Sequence, residues 1–526
     1  MILGLGGLDH NGAACLVEDG RVVAMLELER VTRRKNQGID TPEALNTLLD
    51  RLDAIRATHV AVADRTWFAA ASWLPLRFAD RQLSVYSHHA CHLAAAFVTS
   101  PLERSTVVAV DGKGDGLSAS AGYATRAVAP DIAIAVPSAH SLGRLWWAAS
   151  EYAGLPGHHS AGKTMALAAY GEAVYLDHLL RHRRIHGDGG FRLEPGDEHP
   201  DLFRQVPRLV EWMAKVTDEP QAAPRCPGQA HKDMAASVQR FTELVVEDFV
   251  GAAVAGTGCR DVCLAGGVAL NGLVNQHLLE RVVVDTLFVP PFTDDRGLAI
   301  GAAALAAYEQ GEPVRPIQGG ISPFLGPEPA STLARHSAFT WRGDGDGALD
   351  TCAEELNRGA VIGWFEGRDE AGPRALGHRS ILASPTTTGM RDRLNLEIKR
   401  REPFRPFGCS ILREHVSAWF ECDDDSPYML RIVRARPERR CMIESALHVD
   451  GTSRLHTVDR SHAPRLARLL DRMIERGHPP LLINTSLNGP GEPIVHTAEQ
   501  AFAVARVLGL DALVVDGVLH AATGDE

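Results

Sequence analysis

The stretch MILGLGGLDHNGAACLVEDGRVVAMLELE (residues 1–29) decides the fold class. Ile2–Leu8 is one apolar run, Ala13–Val17 a second and Val22–Glu29 a third, with Glu18-Asp19-Gly20 as a turn signal before the last. Short apolar runs punctuated by Gly and Asp read as strands joined by tight connections, so the chain opens as tandem hairpins. A second strand-rich start lies at Thr106–Asp111 and continues through Gly116–Thr125 and Ile132–Val136. Two such starts predict an α/β fold with an internal duplication.

Working outward, helical spacing occurs at Leu142–Tyr152 and Asp233–Val254. Asp261–Leu264, Gly266-Gly267 and Val268–Glu280 read as strand, glycine turn and helix, and Leu298–Tyr308 as an Ala-rich helix. Gly and Pro concentrate at Gly311–Pro329, which places a boundary there and divides the chain into residues 1–318 and 319–526. From Leu349 a helix pattern leads into the strand Ala360–Phe365.

The 526 residues suit two to four domains at roughly 150 residues each. With 45% apolar and 23% charged residues, the composition is globular and excludes a disordered or fibrous chain. No apolar run approaches the roughly 18 residues of a membrane span. The N-terminus lacks a basic region and a cleavage site, so no signal peptide is expected. A net charge of −12 argues against nucleic-acid binding through bulk charge and leaves room for a local basic pocket. Nine cysteines, an odd number with no C-x-x-C pair, read as reduced thiols. The expectation is a cytoplasmic enzyme of several domains.

The sharpest local signal is Ser87-His88-His89-Ala90-Cys91-His92. With Ser87 as helix cap, His88 and His92 are one turn apart on one face and can grip a metal ion. A histidine pair on a solvated face is the equal alternative. Asp111 ends an apolar strand before Gly112-Lys113-Gly114-Asp115-Gly116, where glycine lets a ligand approach the backbone. Asp295 precedes the Ala-rich helix and suits a helix cap as well as a ligand. Two His and two carboxylates favour Fe(II), Mn(II) or another divalent first-row ion over a closed zinc site. Gly266-Gly267, before Asn271, would turn backbone N–H groups toward an anion, although a plain packing turn is the preferred reading of such a pair. Gly157–Thr164 satisfies a P-loop pattern, but no strand precedes it; Lys163 remains as an anion contact.

The second half carries a basic cluster. Arg374 lies in Gly372-Pro373-Arg374-Ala375-Leu376-Gly377-His378-Arg379-Ser380, and Lys399 and Arg405 lie in Lys399-Arg400-Arg401-Glu402-Pro403-Phe404-Arg405-Pro406-Phe407. Arg454, Asn484 and Ser486 follow. Planar guanidinium forks match phosphate oxygens, and the interleaved Gly, Pro and Phe predict a shaped pocket instead of a solvated face.

With these motifs, the sequence resembles the NodU/CmcH/TobZ-type O-carbamoyltransferases of natural-product biosynthesis over nearly its whole length. The resemblance rests on Asp9-His10-Asn11-Gly12-Ala13-Ala14, His88–His92, the Asp111 loop, Gly266–Asn271, Asp295–Gly297, Gly372–Gly377, Arg401–Phe407 and Asn484-Thr485-Ser486. It implies a duplicated actin-like (ASKHA) domain, similar to the universal tRNA threonylcarbamoyladenosine transferase, followed by a YrdC-like α/β domain. ATP, with Mg, and carbamoyl phosphate would form carbamoyladenylate in the C-terminal domain. The N-terminal domain would pass the carbamoyl group to a hydroxyl of a small, antibiotic-type acceptor, releasing AMP. By motif, His88, His92, Asp111 and Asp295 would hold iron, and Gly266, Gly267 and Asn271, with Lys163, the adenylate. Arg374, Lys399, Arg405, Arg454, Asn484 and Ser486 would bind carbamoyl phosphate and the ATP phosphates, Arg374 and Lys399 acting in catalysis. His10, with an ordinary pKa of about 6.5, is the candidate base for the acceptor hydroxyl.

Asn11 stands where the family usually has Asp, Ala161 where it tends to have Glu, Ala371 where an aromatic is usual, and His378 where Asn is usual. These departures bear on acceptor choice and pocket shape. Small molecules, not nucleic acid or a membrane, are the expected partners. An ASKHA-fold kinase or a tRNA threonylcarbamoyl-type transferase is the alternative; the acidic net charge and the Arg-rich C-terminal domain disfavour it.

Overall fold

The computed structural model describes residues 1–281, 283–315, 319–329 and 339–522. The chain divides into two compact units, one of Met1–Leu28 and Gly38–Ile321, the other of Glu29–Gln37 and Ser322–Glu526. The expected junction at 318/319 adjoins residues 316–318, which lie outside the described residues. The continuous N-terminal domain expected over residues 1–318 needs a correction, because Glu29–Gln37 belongs to the second unit. Two arginines in that segment reach carbonyls of the second unit 342 and 461 positions away, and no local pattern announces such bonds.

In the first unit, β1 (Ile2–Gly6), β2 (Ala13–Glu18), β3 (Arg21–Glu27), β4 (His59–Ala63) and β5 (Gln82–Tyr86) form a sheet in the order β3-β2-β1-β4-β5. β1 and β4 are buried along their whole length, which is why they read as unbroken apolar runs and not as alternation. Leu28 and Glu29, expected to extend β3, instead start the helix Leu28–Thr32. A second sheet uses β6 (Arg104–Gly114), β7 (Leu117–Thr125) and β8 (Ile134–Pro137); after a small hairpin of β9 (Arg183–Ile185) and β10 (Phe191–Leu193) it is completed by β11 (Asp261–Ala265) and β12 (Thr286–Phe288).

Its order, β12-β11-β6-β7-β8, repeats the first sheet's topology strand for strand. In each, the first strand pairs antiparallel with the second and parallel with the fourth. The duplication suggested by two strand-rich starts is therefore present as two sheets of one design.

The Ala-rich helix Leu298–Glu309 is buried from Leu298 to Ala307. It packs on β1, β2 and β4 and on the helix His88–Val98. A Cβ on Gly301 would stand 1.9 Å from the Cys91 carbonyl oxygen, so the two helices touch backbone to backbone. That close approach explains the run of small residues. It also anchors the helix that carries the paired histidines. The expected helix Val268–Glu280 is shorter than its pattern: a 3-10 turn at Gly267–Leu270 comes first, and the helix proper is Gly272–Glu280.

In the second unit, β13 (Phe339–Asp344), β14 (Val361–Phe365), β15 (Arg379–Ala383), β16 (Gly408–Leu412), β17 (Arg431–Arg434), β18 (Thr452–Val458), β19 (Leu481–Ser486), β20 (Ala512–Val515) and β21 (Val518–Ala522) build one mixed sheet. Its order is β13-β21-β20-β14-β15-β19-β16-β18-β17. The core joins alternate residues of β14, β15, β16 and β19 with the helix Ala498–Leu508. Among the described residues, no helix is long and apolar enough to cross a membrane.

Gly301→Val should destabilise the protein by about 1–3 kcal/mol or more, because the added methyls meet a carbonyl that cannot retreat. A lower midpoint in denaturant unfolding is the expected result; an unchanged midpoint would contradict the backbone contact.

Candidate active site

The first constellation forms where strand ends meet the helix His88–Val98, whose N-terminus Ser87 caps through Ala90 N. β6 leaves register with β7 between Val110 and Gly114, and this irregularity frees Asp111 from the ladder. Asp111 then turns toward the first turn of the helix, with Oδ2 3.4 Å from His88 Nε2. Asp295 Oδ1 approaches from the other side, 3.6 Å from His88 Nε2 and 3.4 Å from His92 Nε2. The two Nε2 atoms are 3.1 Å apart. All four side chains are buried, and their donor atoms lie within 4.8 Å of one another. The solvated-face reading of the histidine pair is thereby overturned. Asp295 is no helix cap either: Asp294 accepts from Arg296 N.

Electrostatics describe the same centre. Burial opposes a charged His88, yet Asp295, Asp111 and Asp64 together hold its pKa well above the usual imidazole value. Burial would raise Asp111, but its bond to His88 and the nearby His92 hold it below the usual carboxylate range. His89 faces away, its Nδ1 2.9 Å from Ser120 Oγ; burial and its two histidine neighbours push it down to about 3.

Two residues outside the sequence-level candidates orient His88. Asp64, at the end of β4, accepts from His88 Nδ1 at 3.0 Å. With Nδ1–H given to a carboxylate, the ring would present an Nε2 lone pair to a metal ion that takes the place of the Nε2 proton, the usual arrangement of a metal-ligating histidine. Asp115 accepts from His88 N at 2.8 Å and from the Thr66 hydroxyl at 2.7 Å. The signal for Asp64 was legible: His59–Ala63 is an apolar strand followed by Asp, as Val107–Val110 is before Asp111. His88, His92, Asp111 and Asp295 could thus hold a metal ion, and their mixed N/O donor set suits a divalent first-row ion.

His10 stands at the rim, one third exposed, with Nδ1 2.9 Å from Asp9 and Nε2 3.1 Å from Asp295. Its ordinary pKa of about 6.5 needs correction. Burial lowers it, but the bond to Asp9 and the charges of Asp295, Asp9 and Asp111 carry it up to about 9. Both ring nitrogens face carboxylates, so the imidazolium is the favoured form here.

The glycine pair behaves differently from the anion-binding expectation. Gly266 has φ +87°, and a Cβ on it would lie 2.3 Å from Val110 O. Its N–H donates to Thr293 O at 2.7 Å, and that of Gly267 to Asp111 Oδ1 at 2.9 Å. Neither N–H is left for a phosphate, so the pair is a packing turn that also holds Asp111. Asn271 Oδ1 caps the next helix through Leu273 N and Val274 N, while Nδ2 donates to Gln239 Oε1 at 2.8 Å. Lys163 sits half-buried on the helix Ala161–Ala168, which no strand precedes.

The second unit gathers the basic residues. A wide π-type turn at Arg393–Ile398 ends with Lys399 N bonded to Leu394 O at 2.8 Å. Such turns are common at functional sites. Lys399 is buried, and its Nζ donates to Ser486 O (2.7 Å), Asn488 O (3.0 Å) and Asn488 Oδ1 (2.7 Å). Burial, then Arg401, Arg405 and Lys35, push it well below the ordinary lysine value. Arg454 is lowered likewise by burial and by Arg374, Arg405 and Arg401.

Arg401, absent from the sequence-level candidates, stacks on Phe407 with its guanidinium carbon 4.4 Å from the ring centre. Ser486 Oγ donates to Asn488 Oδ1 at 2.6 Å, which makes Asn488 a hub that sequence reading also missed. Asn484 is fully buried; Nδ2 donates to Ser410 Oγ at 2.8 Å, and Oδ1 has no hydrogen-bond partner among the described residues. Arg454 and Asn484 both lie opposite Gly408 in the sheet register, which puts them in one row.

The Arg374 loop is shaped by Glu370, whose Oε1 accepts from Leu376 N, His378 N and Arg379 N at 2.8, 2.9 and 3.0 Å. His378 stacks on Phe324 with ring centres 3.4 Å apart.

Comparison with known proteins follows this division. The family model described as "Carbamoyltransferase N-terminus" matches residues 64–304, and "Carbamoyltransferase C-terminus" matches residues 353–521. The chain is 32% identical to "Nodulation protein NolNO" of Sinorhizobium fredii, over 97% of this chain and 78% of that one. It is 35% identical to "Nodulation protein NolO" of Bradyrhizobium diazoefficiens, over 82% and 77%. An "Uncharacterized protein sll1178" of Synechocystis matches at 33% over 99% and 97%. With both family models matched along one chain, and with an ordered histidine–carboxylate centre and an arginine cluster each inside a matched region, the protein belongs to the carbamoyltransferase family and is an enzyme that transfers carbamoyl groups.

Proposed function

We propose that the second unit forms carbamoyladenylate from ATP, with Mg, and carbamoyl phosphate, and that the first unit transfers its carbamoyl group to a hydroxyl of a small natural-product acceptor of antibiotic type. The setting proposed is the cytoplasm. Atom balance assigns the by-products. Forming the adenylate releases pyrophosphate and, with one water, phosphate; transfer releases AMP.

One observation carries the reading: in partly or fully buried positions, Arg401 and Arg405 act on both Lys399 and Arg454, and Arg374 acts on Arg454. Like charges removed from water repel strongly, and a bound polyanion relieves that repulsion. Carbamoyl phosphate and the ATP phosphates are such anions. The guanidinium forks would grip phosphate oxygens and disperse charge on the departing pyrophosphate. Lys399, its three protons already given to Ser486 and Asn488, would hold that turn in place and add positive potential. Asn484 Oδ1 would take a donor such as the carbamoyl amide.

In the first unit, His88, His92, Asp111 and Asp295 would hold Fe(II) or a similar divalent ion. When bound, it would supply fixed positive charge against the phosphate of the adenylate. Asp64 and Asp115 keep His88 in its ligating pose. Asn271 and Lys163, with the bare Cα surface of Gly266 and Gly267, would border the adenylate. His10 would accept the acceptor's hydroxyl proton at Nε2 once the charge on Asp295 and Asp111 is balanced, since those charges are among the causes of its raised pKa.

Three outcomes check this. His88→Ala and Asp111→Ala should remove bound metal, read by elemental mass spectrometry, and lower acceptor carbamoylation at least about a hundredfold. Pyrophosphate release should continue in both; equal loss of the two half-reactions would contradict the division. Arg374→Ala should stop pyrophosphate release, measured with ATP and carbamoyl phosphate alone, and wild-type release would exclude the cluster as the activation site. Incubation with ATP, carbamoyl phosphate and a panel of hydroxylated metabolites should yield a product one carbamoyl unit heavier by mass spectrometry. A kinase would instead add a phosphoryl group, with no need for carbamoyl phosphate.

A further inference from the structure

The segment Glu29-Arg30-Val31-Thr32-Arg33-Arg34-Lys35-Asn36-Gln37 belongs to the second unit, although the chain enters and leaves it from the first. Its internal shape is set by Glu29, which accepts from Asn36 N at 2.6 Å, and by left-handed backbone at Arg33 and Asn36. Two of its side chains reach two separate loops. Arg30 is 1% exposed, and its guanidinium donates to Gly372 O at 2.6 Å and Glu370 O at 3.3 Å. These carbonyls begin the loop that carries Arg374, the same loop whose far side Glu370 gathers through three N–H groups.

Arg33 donates to Ile494 O at 2.6 Å and Pro493 O at 2.7 Å, with Glu492 3.8 Å away. Glu492 in turn accepts from Gly489 N, and its carbonyl accepts from Asn488 Nδ2 at 2.6 Å. Asn488 is the residue that receives both Lys399 and Ser486. One short segment therefore grips the loop that carries Arg374 and the turn that anchors the Lys399 side chain.

Neutral side chains could also brace these carbonyls, with Glu492 as the one acidic partner near Arg33. Guanidinium groups placed next to cations raise the electrostatic cost of the fold. Burial lowers Arg33, Glu492 and Glu29 work against that, Arg30 adds to it, and Lys35 helps to lower Lys399. Arg30, Arg33 and Lys35, three of the four cations of this segment, make physical sense where an anion is held. Fork-shaped donors on backbone carbonyls also set loop geometry more tightly than a lysine could.

We infer that Glu29–Gln37 is a built part of the polyphosphate pocket, with Arg30 and Arg33 as positioning residues. Arg30 sets the Arg374 loop, and Arg33 sets the turn that aligns Asn488 and Lys399. The inference rests on the anion-binding reading of the cluster but not on the reaction proposed for it.

The test uses the full chain and pyrophosphate as the probe. By titration calorimetry, Arg30→Gln and Arg33→Gln should each weaken pyrophosphate binding by roughly tenfold or more, the scale of a lost charge-assisted hydrogen bond. Guanidinium ion should restore part of the affinity to Arg30→Ala, which a general loss of stability would not allow. Folded variants with wild-type affinity would overturn the inference. If Arg30→Gln does not fold, Arg33→Gln carries the same readout from a side chain that is one quarter exposed. A wild-type protein that binds pyrophosphate yet makes no carbamoyladenylate defeats the reaction proposed above and leaves this inference to the affinities. A wild-type protein that does not bind pyrophosphate overturns both.

Discussion

The meeting of two imidazole nitrogens 3.1 Å apart with two buried carboxylates is the constraint on which the first unit is organised. Such a cluster is expensive to assemble, because each polar group must leave water and find a partner. The fold answers with geometry. Asp64 follows the apolar strand β4, Asp111 lies in the irregular end of β6, and both reach His88. Asp64 and Asp115 fasten His88 from behind, and the glycine pair closes on Asp111 through one N–H. Even the Ala-rich helix Leu298–Glu309 serves this arrangement, since its contact with the Cys91 backbone seats the helix of the histidines.

The second unit solves the opposite electrostatic problem. Where the first concentrates acceptors around histidines, the second concentrates guanidinium groups with few carboxylates between them. Glu402 lies 3.7 Å from Arg405, and Glu370 is turned to backbone N–H groups instead of to arginine. The balance leaves positive potential in a partly dry place. That is the environment in which phosphate anhydrides are held and cleaved with least reorganisation. Glu29–Gln37 adds to this potential from a distant part of the chain.

Several elements were legible because their causes are local. The tandem strands, the helix at Leu142–Tyr152 and the Ala-rich helix follow from apolar runs, periodicity and small side chains. The histidine pair was legible because i, i+4 spacing alone puts two rings on one face. Local pattern failed where a group's role depends on what lies across space. For Gly266-Gly267 the sequence left an anion cradle open beside the preferred packing turn, and only the partners Thr293 and Asp111 show where its N–H groups go. Asp295 looked equally like a helix cap. Nothing local showed that three acceptors from Ser486 and Asn488 hold Lys399. Asn488 gave no signal, because a hub is defined by its partners.

Residue order by itself determined the class of fold, the internal repeat and the chemical types gathered in each half, since hydrophobic spacing and composition carry that information along the chain. Only tertiary structure decided which carboxylates face the histidines, that Asp9 and Asp295 flank both ring nitrogens of His10, and that residues 29–37 belong with a body that begins near residue 322. Those outcomes depend on distances between residues hundreds of positions apart. Electrostatic fields and hydrogen bonds act through space, and sequence neighbours are blind to them.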